Sequence, residues 1–239
     1  MFAPISASTG AGSIVARLRT AIDLGFFEDG ELLPKEAALC DQLKVSAFAL
    51  REALAELRSE GLVETRPGRG GGTLVRRRTK VVHENSLRML CEMSSVSLRD
   101  LADWRGMLLS EAVALAARRS TMTNWTRLAG YSQNIGEAQT LSDASRAHAR
   151  FDVELASAAQ SVRLTAALLD IYEKYAWLFG LAHEDGRYRA ATAKLLSQIT
   201  KTLEERNAHA GTTLAREHAA QTFDYLVRLR LHAIAENTR

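Results

Sequence analysis

Residues 35–75 read KEAALCDQLKVSAFALREALAELRSEGLVETRPGRGGGTLV, and this stretch decides the fold of the first third of the chain. Apolar residues recur at helical spacing in two short runs: Ala38, Leu39 and Leu43, then Leu50, Ala53, Leu54 and Leu57. Lys44-Val45 leaves space between them only for a tight turn, and Ser46 is a favoured cap for the second run. Pro34 suits the first position of the leading helix, with Glu36 favourable at its positive end. Gly61 is a good stop for the following helix. Leu62-Val63 and Leu74-Val75 then flank RPGRGGG, a tip whose four glycines permit positive φ and close backbone approach. Two helices, a tight turn and a hairpin with a basic tip form a winged helix-turn-helix pattern.

Such a unit places its second helix in a DNA groove with the hairpin loop touching the backbone alongside. Ser46, Ala47, Phe48 and Arg51 are then the residues that approach the groove, while Arg69 and the backbone of Gly70 reach in beside it. Lys35, Lys44 and Arg66 are placed to hold phosphates. The net charge of +3 decides nothing, but its distribution is informative. Between Gly61 and Lys80, six basic residues (Arg66, Arg69, Arg76, Arg77, Arg78, Lys80) face one acid, Glu64. The plainer alternative is a structural helical pair with an incidental basic hairpin.

Working outward, residues 1–12 are small and polar and are expected to form a loose tail. Ser13 caps an expected helix with Ile14, Leu18, Ala21 and Ile22 on one face, ended by Gly25. Phe26, Phe27 and Leu32 are anchors around the turn Glu28-Asp29-Gly30. Residues 13–75 thus form the first domain and 76–81, a charge run, the linker. Residues 82–239 are expected to be an all-helical second domain, with helices over 82–95, 97–119, 124–139, 142–159, 162–183, 190–207 and 212–236. The fold class is therefore mainly α with one small β hairpin. A hydrophobic fraction of 46% with 25% charged residues excludes disorder. No apolar run approaches the roughly 20 residues that cross a bilayer, and a cytoplasmic chain without membrane contact is expected. Cys40 and Cys91, without a CxxC partner, read as small buried thiols.

From Ile14 to Val75 the chain resembles the winged-helix domain of the GntR family of bacterial transcription regulators. The residues that carry this are Gly30-Glu31-Leu32, Leu33-Pro34-Lys35-Glu36, Val45-Ser46, Arg51-Glu52-Ala53-Leu54, Leu57, Glu60-Gly61-Leu62 and Gly68-Arg69-Gly70. The resemblance implies arginines at two positions that here are Ala37 and Ala47. Losing an arginine–guanine pair removes roughly 1–3 kcal/mol of discrimination, so an atypical operator is expected, with Phe48 against a thymine methyl.

Residues 81–235 are similar to the FadR-like branch, whose helical ligand-binding domain is called FCD. Arg105-Gly106-Met107-Leu108 through Glu111 to Arg118, Phe151 through Ala159 and Asn207 through His218 carry that likeness. It implies a helical bundle that encloses an effector and dimerises. It also implies a divalent metal, zinc or similar, held by His148, Asp152 and His218, with the family's pair exchanged in type in HARFD. Positions i and i+4 share a helix face, so both side chains can aim at one centre. The family's remaining histidine position is Leu196. A helix-surface hydrogen bond between His148 and Asp152, with His218 as a polar core residue, is the alternative. Arg105 aligns with a cavity arginine and favours a carboxylate effector. Tyr172 and Tyr175, on an expected central helix, and Asn207 complete the candidate effector set, although aromatic core is the plainer account of the two tyrosines. The other histidines, His183 among them, receive no role.

The reading is a homodimeric regulator, not an enzyme, that binds a double-stranded DNA operator under control of a small carboxylate. The competing readings are a metal-dependent enzyme and a DNA-binding dimer with a degenerate sensor pocket.

Overall fold

The structure is a computed structural model and describes residues 11–23, 27, 29–68, 71–76 and 83–237. It separates into two compact units, Met1–Lys80 and Val81–Arg239.

In the first unit, α1 (Ala11–Asp23) packs on α3 (Ala47–Ser59), and α2 (Glu36–Leu43) leads into α3. Ile14, Leu18, Ile22, Leu39, Leu43, Leu50, Leu54 and Leu57 form one closed core. Each such side chain contributes about 1.5–3 kcal/mol on leaving water. The turn between α2 and α3 is made by Lys44 in the left-handed region, φ 58°. Strands β1 (Val63–Arg66) and β2 (Gly72–Val75) pair antiparallel, Val63 opposite Val75 and Arg66 opposite Gly72. The tip needs its glycines: Gly68 has φ +105°, and a Cβ on Gly71 would lie 2.0 Å from the Arg66 carbonyl oxygen.

Several local expectations change. Helix α1 already begins at Ala11, so Ser13 lies inside it and is not its cap. Pro34 precedes α2 by two residues; Lys35 is the N-cap, extended at ψ 145°. Ala38 is exposed. Leu32 is 43% exposed, and Leu33 takes the inward place. The reason is a pairing the sequence pattern missed. Gly30–Leu33 runs along the outer edge of β2, with Leu33 N bonded to Thr73 O at 2.8 Å and Val75 N to Glu31 O at 2.9 Å. Alternation along an extended segment turns Leu32 outward. Cys40 and Cys91 are half-buried, not fully so.

The second unit contains α4 (His83–Glu92), α5 (Ser95–Arg119), α6 (Met122–Glu137), α7 (Leu141–Ala158), α8 (Val162–Ala182), α9 (Gly186–Glu204) and α10 (Ala208–Asn237). Short polar caps set the starts. Ser94 accepts from Ser97 N at 3.0 Å, Thr140 from Asp143 N at 3.1 Å and Asp185 from Arg187 N at 2.7 Å. Helix α9 thus starts at Gly186 instead of Ala190. Gly211, expected to break the chain before Thr212, sits within α10. A Cβ there would stand 2.5 Å from Thr202 Oγ1 and 2.6 Å from Val113 Cγ1, so this glycine lets α10 approach α9 and α5 closely. Among the described residues no helix is long and apolar enough to cross a membrane.

The expected tail over residues 1–10, Gly25, Phe26, Glu28, Arg69, Gly70 and the linker residues beyond Arg76 lie outside the described residues.

Candidate functional site

The first unit presents an exposed polar face built on α3. Ser46 Oγ accepts from Ala49 N at 3.2 Å and fixes where the helix begins. Ala47 and Phe48 then occupy the leading turn, and Phe48 is 73% exposed, a large apolar ring at a helix start. Lys35, Lys44, Arg51 and Arg66 are all exposed. Arg51 is partnered: its Nε donates to Glu36 Oε2 at 2.8 Å, and that bond raises its pKa. Arg76 donates to Glu64 at 2.6 Å, which cancels one member of the basic cluster and lowers the Glu64 pKa.

The second unit holds a buried polar cluster to which five helices contribute. Arg105 comes from α5, His148 and Asp152 from adjacent turns of α7, Tyr172 from α8, Tyr188 from α9, and His218 and Thr222 from α10. Nη2 of Arg105 donates to Asp152 Oδ2 at 2.6 Å and lies 3.0 Å from Nε2 of both His148 and His218. Tyr172 donates its hydroxyl to the same Asp152 oxygen at 2.6 Å. The guanidinium also lies 5.0 Å from the centre of the Phe179 ring, a cation–π contact. His183, the residue after α8, is wholly buried with Nε2 2.8 Å from Nδ1 of His148.

The electrostatics follow from burial. Desolvation opposes the charge on Arg105 most strongly, but the Asp152 carboxylate, Tyr172 and Tyr188 together outweigh it and the net pKa is raised. Burial, then the Arg105 charge, holds His148 and His218 well below the usual imidazole value. Burial and His148 do the same to His183. Burial raises the Tyr172 hydroxyl, and Asp152 adds to it. All three imidazoles are therefore neutral. A guanidinium only donates, and with one Nη2 proton on Asp152 the other goes to the Nε2 lone pair of His148, which also accepts from His218 Nε2–H at 2.8 Å. His148 then carries its proton on Nδ1 and donates to His183, a tautomer assigned from the network.

Ligand atoms of His148, Asp152 and His218 lie within 4.8 Å of one another, a donor set whose chemistry suits a divalent ion. As assembled, however, it does not fit one. The place that the two Nε2 atoms and the carboxylate surround is taken by Arg105 Nη2, and a guanidinium cannot shed its proton. Leu196 is buried without a ligating atom. The surface-pair alternative for His148 and Asp152 also fails, because both are buried.

Of the residues expected around an effector, Arg105 and Tyr172 meet in this cluster. Tyr175 is only half-buried, and Asn207 is exposed, where its Oδ1 accepts from Ala210 N at 3.1 Å as a cap of α10. The reading missed His183 and Tyr188. Their only signal was position beside a helix boundary, which more often marks surface residues. Among the described residues, Arg105 Nε, Asp152 Oδ1, His183 Nδ1 and His218 Nδ1 are buried without a hydrogen-bonding partner. A cavity of about 20 Å³ adjoins Arg105, Phe179 and Thr222. A separate groove of about 850 Å³ runs between α5 and α10 past Ala102, Gly106, Met107, Ser110, Ala219 and Phe223.

Residues 11–75 match the family described as bacterial regulatory proteins, gntR family, and residues 100–221 match the FCD domain. The provisionally named HTH-type transcriptional regulator RmpR of Mycobacterium gastri is 32% identical over 92% of this chain and 81% of its own length. The Glc operon transcriptional activator of Escherichia coli K12 is 28% identical over 84% of this chain and 82% of its length. Among solved structures, E. coli McbR/YncC is similar in fold, with a TM-score of 0.56 at 16% identity, covering 92% of this chain and 98% of that one.

Proposed function

This chain belongs to the GntR family of bacterial regulatory proteins and carries an FCD domain, and we propose from that premise how it acts as a transcription regulator. Its α3 reads the major groove of an operator through Phe48 and Arg51, while Lys35, Lys44, Arg66 and the hairpin tip hold phosphates. The observation that carries this is the Ser46-capped, exposed leading turn of α3 with the basic hairpin in the same unit. Fluorescence anisotropy on the DNA upstream of its own gene is the test. Preference over bulk DNA, reduced in Arg51→Ala, is expected; equal affinity for any duplex sinks the reading.

Control comes from a small carboxylate at Arg105. The unpartnered Arg105 Nε and the raised, permanently charged guanidinium support an anion there. The adjoining cavity of about 20 Å³ has volume for about one water, so an effector has to displace side chains as it enters. That displacement is the differential contact by which a ligand biases one arrangement of the protein over another. The reading routes nothing through the divalent ion that the resemblance implies, because the donor set meets Arg105 instead.

We place the protein in the cytoplasm as a homodimer. The α5–α10 groove, with Arg99 and Arg216 alongside Asp103 and Glu111, offers both charge signs for self-complementary pairing. Sedimentation of the wild type against Met107→Glu checks it. A second reading, a DNA-binding dimer whose pocket has degenerated, draws on the same small cavity. A thermal-shift screen of carboxylic metabolites separates the two: stabilisation by one of them supports sensing, and stabilisation by none supports degeneration.

A further inference from the structure

We propose that Arg105 is a tethered cation that takes the position of a metal ion in the His148–Asp152–His218 set, keeping divalent metals out until it is removed. Three observations meet here. The ligand atoms of the set lie within 4.8 Å of one another on two helices, the spacing of a coordination site. Nη2 of Arg105 stands at 2.6 Å from the carboxylate and 3.0 Å from each imidazole nitrogen, so all three ligating groups already lie around one cationic group. The two Nε2 atoms are 2.8 Å apart, an N–H···N hydrogen bond whose proton an entering metal ion would also have to displace.

Arg105 is also held there from outside the set. Its other terminal nitrogen lies 3.5 Å from Thr222 Oγ1, and Phe179 covers its face. To admit a divalent ion, the guanidinium would have to leave Asp152, its only acidic partner in the cluster, or share the site with a like charge. Neither occurs without a replacement partner for Arg105. Guanidinium and metal ion are therefore mutually exclusive occupants, and the side chain on α5 decides between them. The inference deepens the effector reading above, resting on it only for the site's role. Metal uptake is measured without DNA or effector, so its failure is distinguishable from failure of that reading.

The experiment is equilibrium dialysis against Co²⁺ or Zn²⁺ with metal analysis, on wild-type protein and on Arg105→Met. Wild type is expected to retain less than about a tenth of an equivalent. Arg105→Met is expected to take up close to one, with Co²⁺ giving visible ligand-field bands and Zn²⁺ raising its Tm. Adding His218→Ala to Arg105→Met should weaken uptake at least about tenfold. Near-stoichiometric metal in the wild type, or a folded Arg105→Met that takes none, overturns the proposal. If Arg105→Met does not fold, Arg105→Gln is measured in its place. If neither folds, the wild type decides: exclusion of metal supports the tethered cation and uptake of one equivalent refutes it.

Discussion

Nε of Arg51 on α3 donates to Oε2 of Glu36 on α2 at 2.8 Å, tying the two helices of the helix-turn-helix together through the side chain best placed to read DNA. The pair aims the guanidinium and also sets a carboxylate beside it. Arg51→Ala should therefore lower operator affinity by about tenfold or more while leaving Tm nearly unchanged, since exposed pairs contribute little to folding. Glu36→Gln should tighten binding to all duplexes and narrow the gap between operator and bulk DNA. Anisotropy titrations with both DNAs measure it; unchanged discrimination in Glu36→Gln would show that the pair does not orient Arg51.

Arg66 lies on β1 just before the hairpin tip, exposed. As a phosphate contact it carries no base information, so Arg66→Ala should weaken binding to all sequences alike. The salt dependence, log K against log[salt], should flatten by about 0.9. A loss confined to the operator would instead mark Arg66 as a base reader.

Arg105 and Asp152 are 1% and 0% exposed, and each is the other's charge partner. Asp152→Asn leaves the guanidinium buried without its counter-charge and should cost about 3–5 kcal/mol in urea unfolding. The paired change Arg105→Met with Asp152→Leu should cost far less than the sum of the two single changes, because it removes both charges together. Additive losses would mean the pair is not coupled.

The three buried imidazoles have folded-state pKa values well below 6.5, whereas in the unfolded chain they titrate at the ordinary value. Below about pH 6.5 the unfolded state takes up protons that the folded state refuses, so stability falls as pH falls. The slope approaches about 1.4 kcal/mol per pH unit for each histidine. Urea unfolding at pH 7.5, 6.5 and 5.5 should show the decline beginning near pH 6.5, and His183→Leu should make it shallower. A flat profile over that window would mean that these rings take up protons in the folded protein as readily as in the unfolded chain.

Gly211→Ala should destabilise the helical unit by about 1–3 kcal/mol, because Thr202 and Val113 occupy the space its Cβ needs. Thermal unfolding checks it. Gly130, with nothing within 4 Å of a Cβ, is the control, and Gly130→Ala should be neutral or stabilising.

The order of elements was legible in the sequence because helix period, caps and stops are local properties of the chain. Ser46 caps the helix its type announces, and the hairpin forms where RPGRGGG permits it. Local pattern failed where a neighbour distant in sequence sets the outcome. Gly211 reads as a helix breaker, yet α10 runs through it because α5 and α9 need its missing side chain. Leu32 reads as an anchor, yet pairing with β2 turns it outward.

The buried cluster divides the same way. Resemblance singled out His148, Asp152 and His218, and the four-residue spacing of the first two puts them on one helix face. The sequence by itself could not determine that Arg105, 43 positions before His148, would lie with its charge between them. Nor could it show that His183 would leave a helix end to support His148 from behind. Those are consequences of packing α5, α7, α8 and α10 around one interior, where a charge removed from water must find its partners wherever the chain has put them. The sequence determined which groups were available; the tertiary structure decided that the cation meeting the histidines would be an arginine.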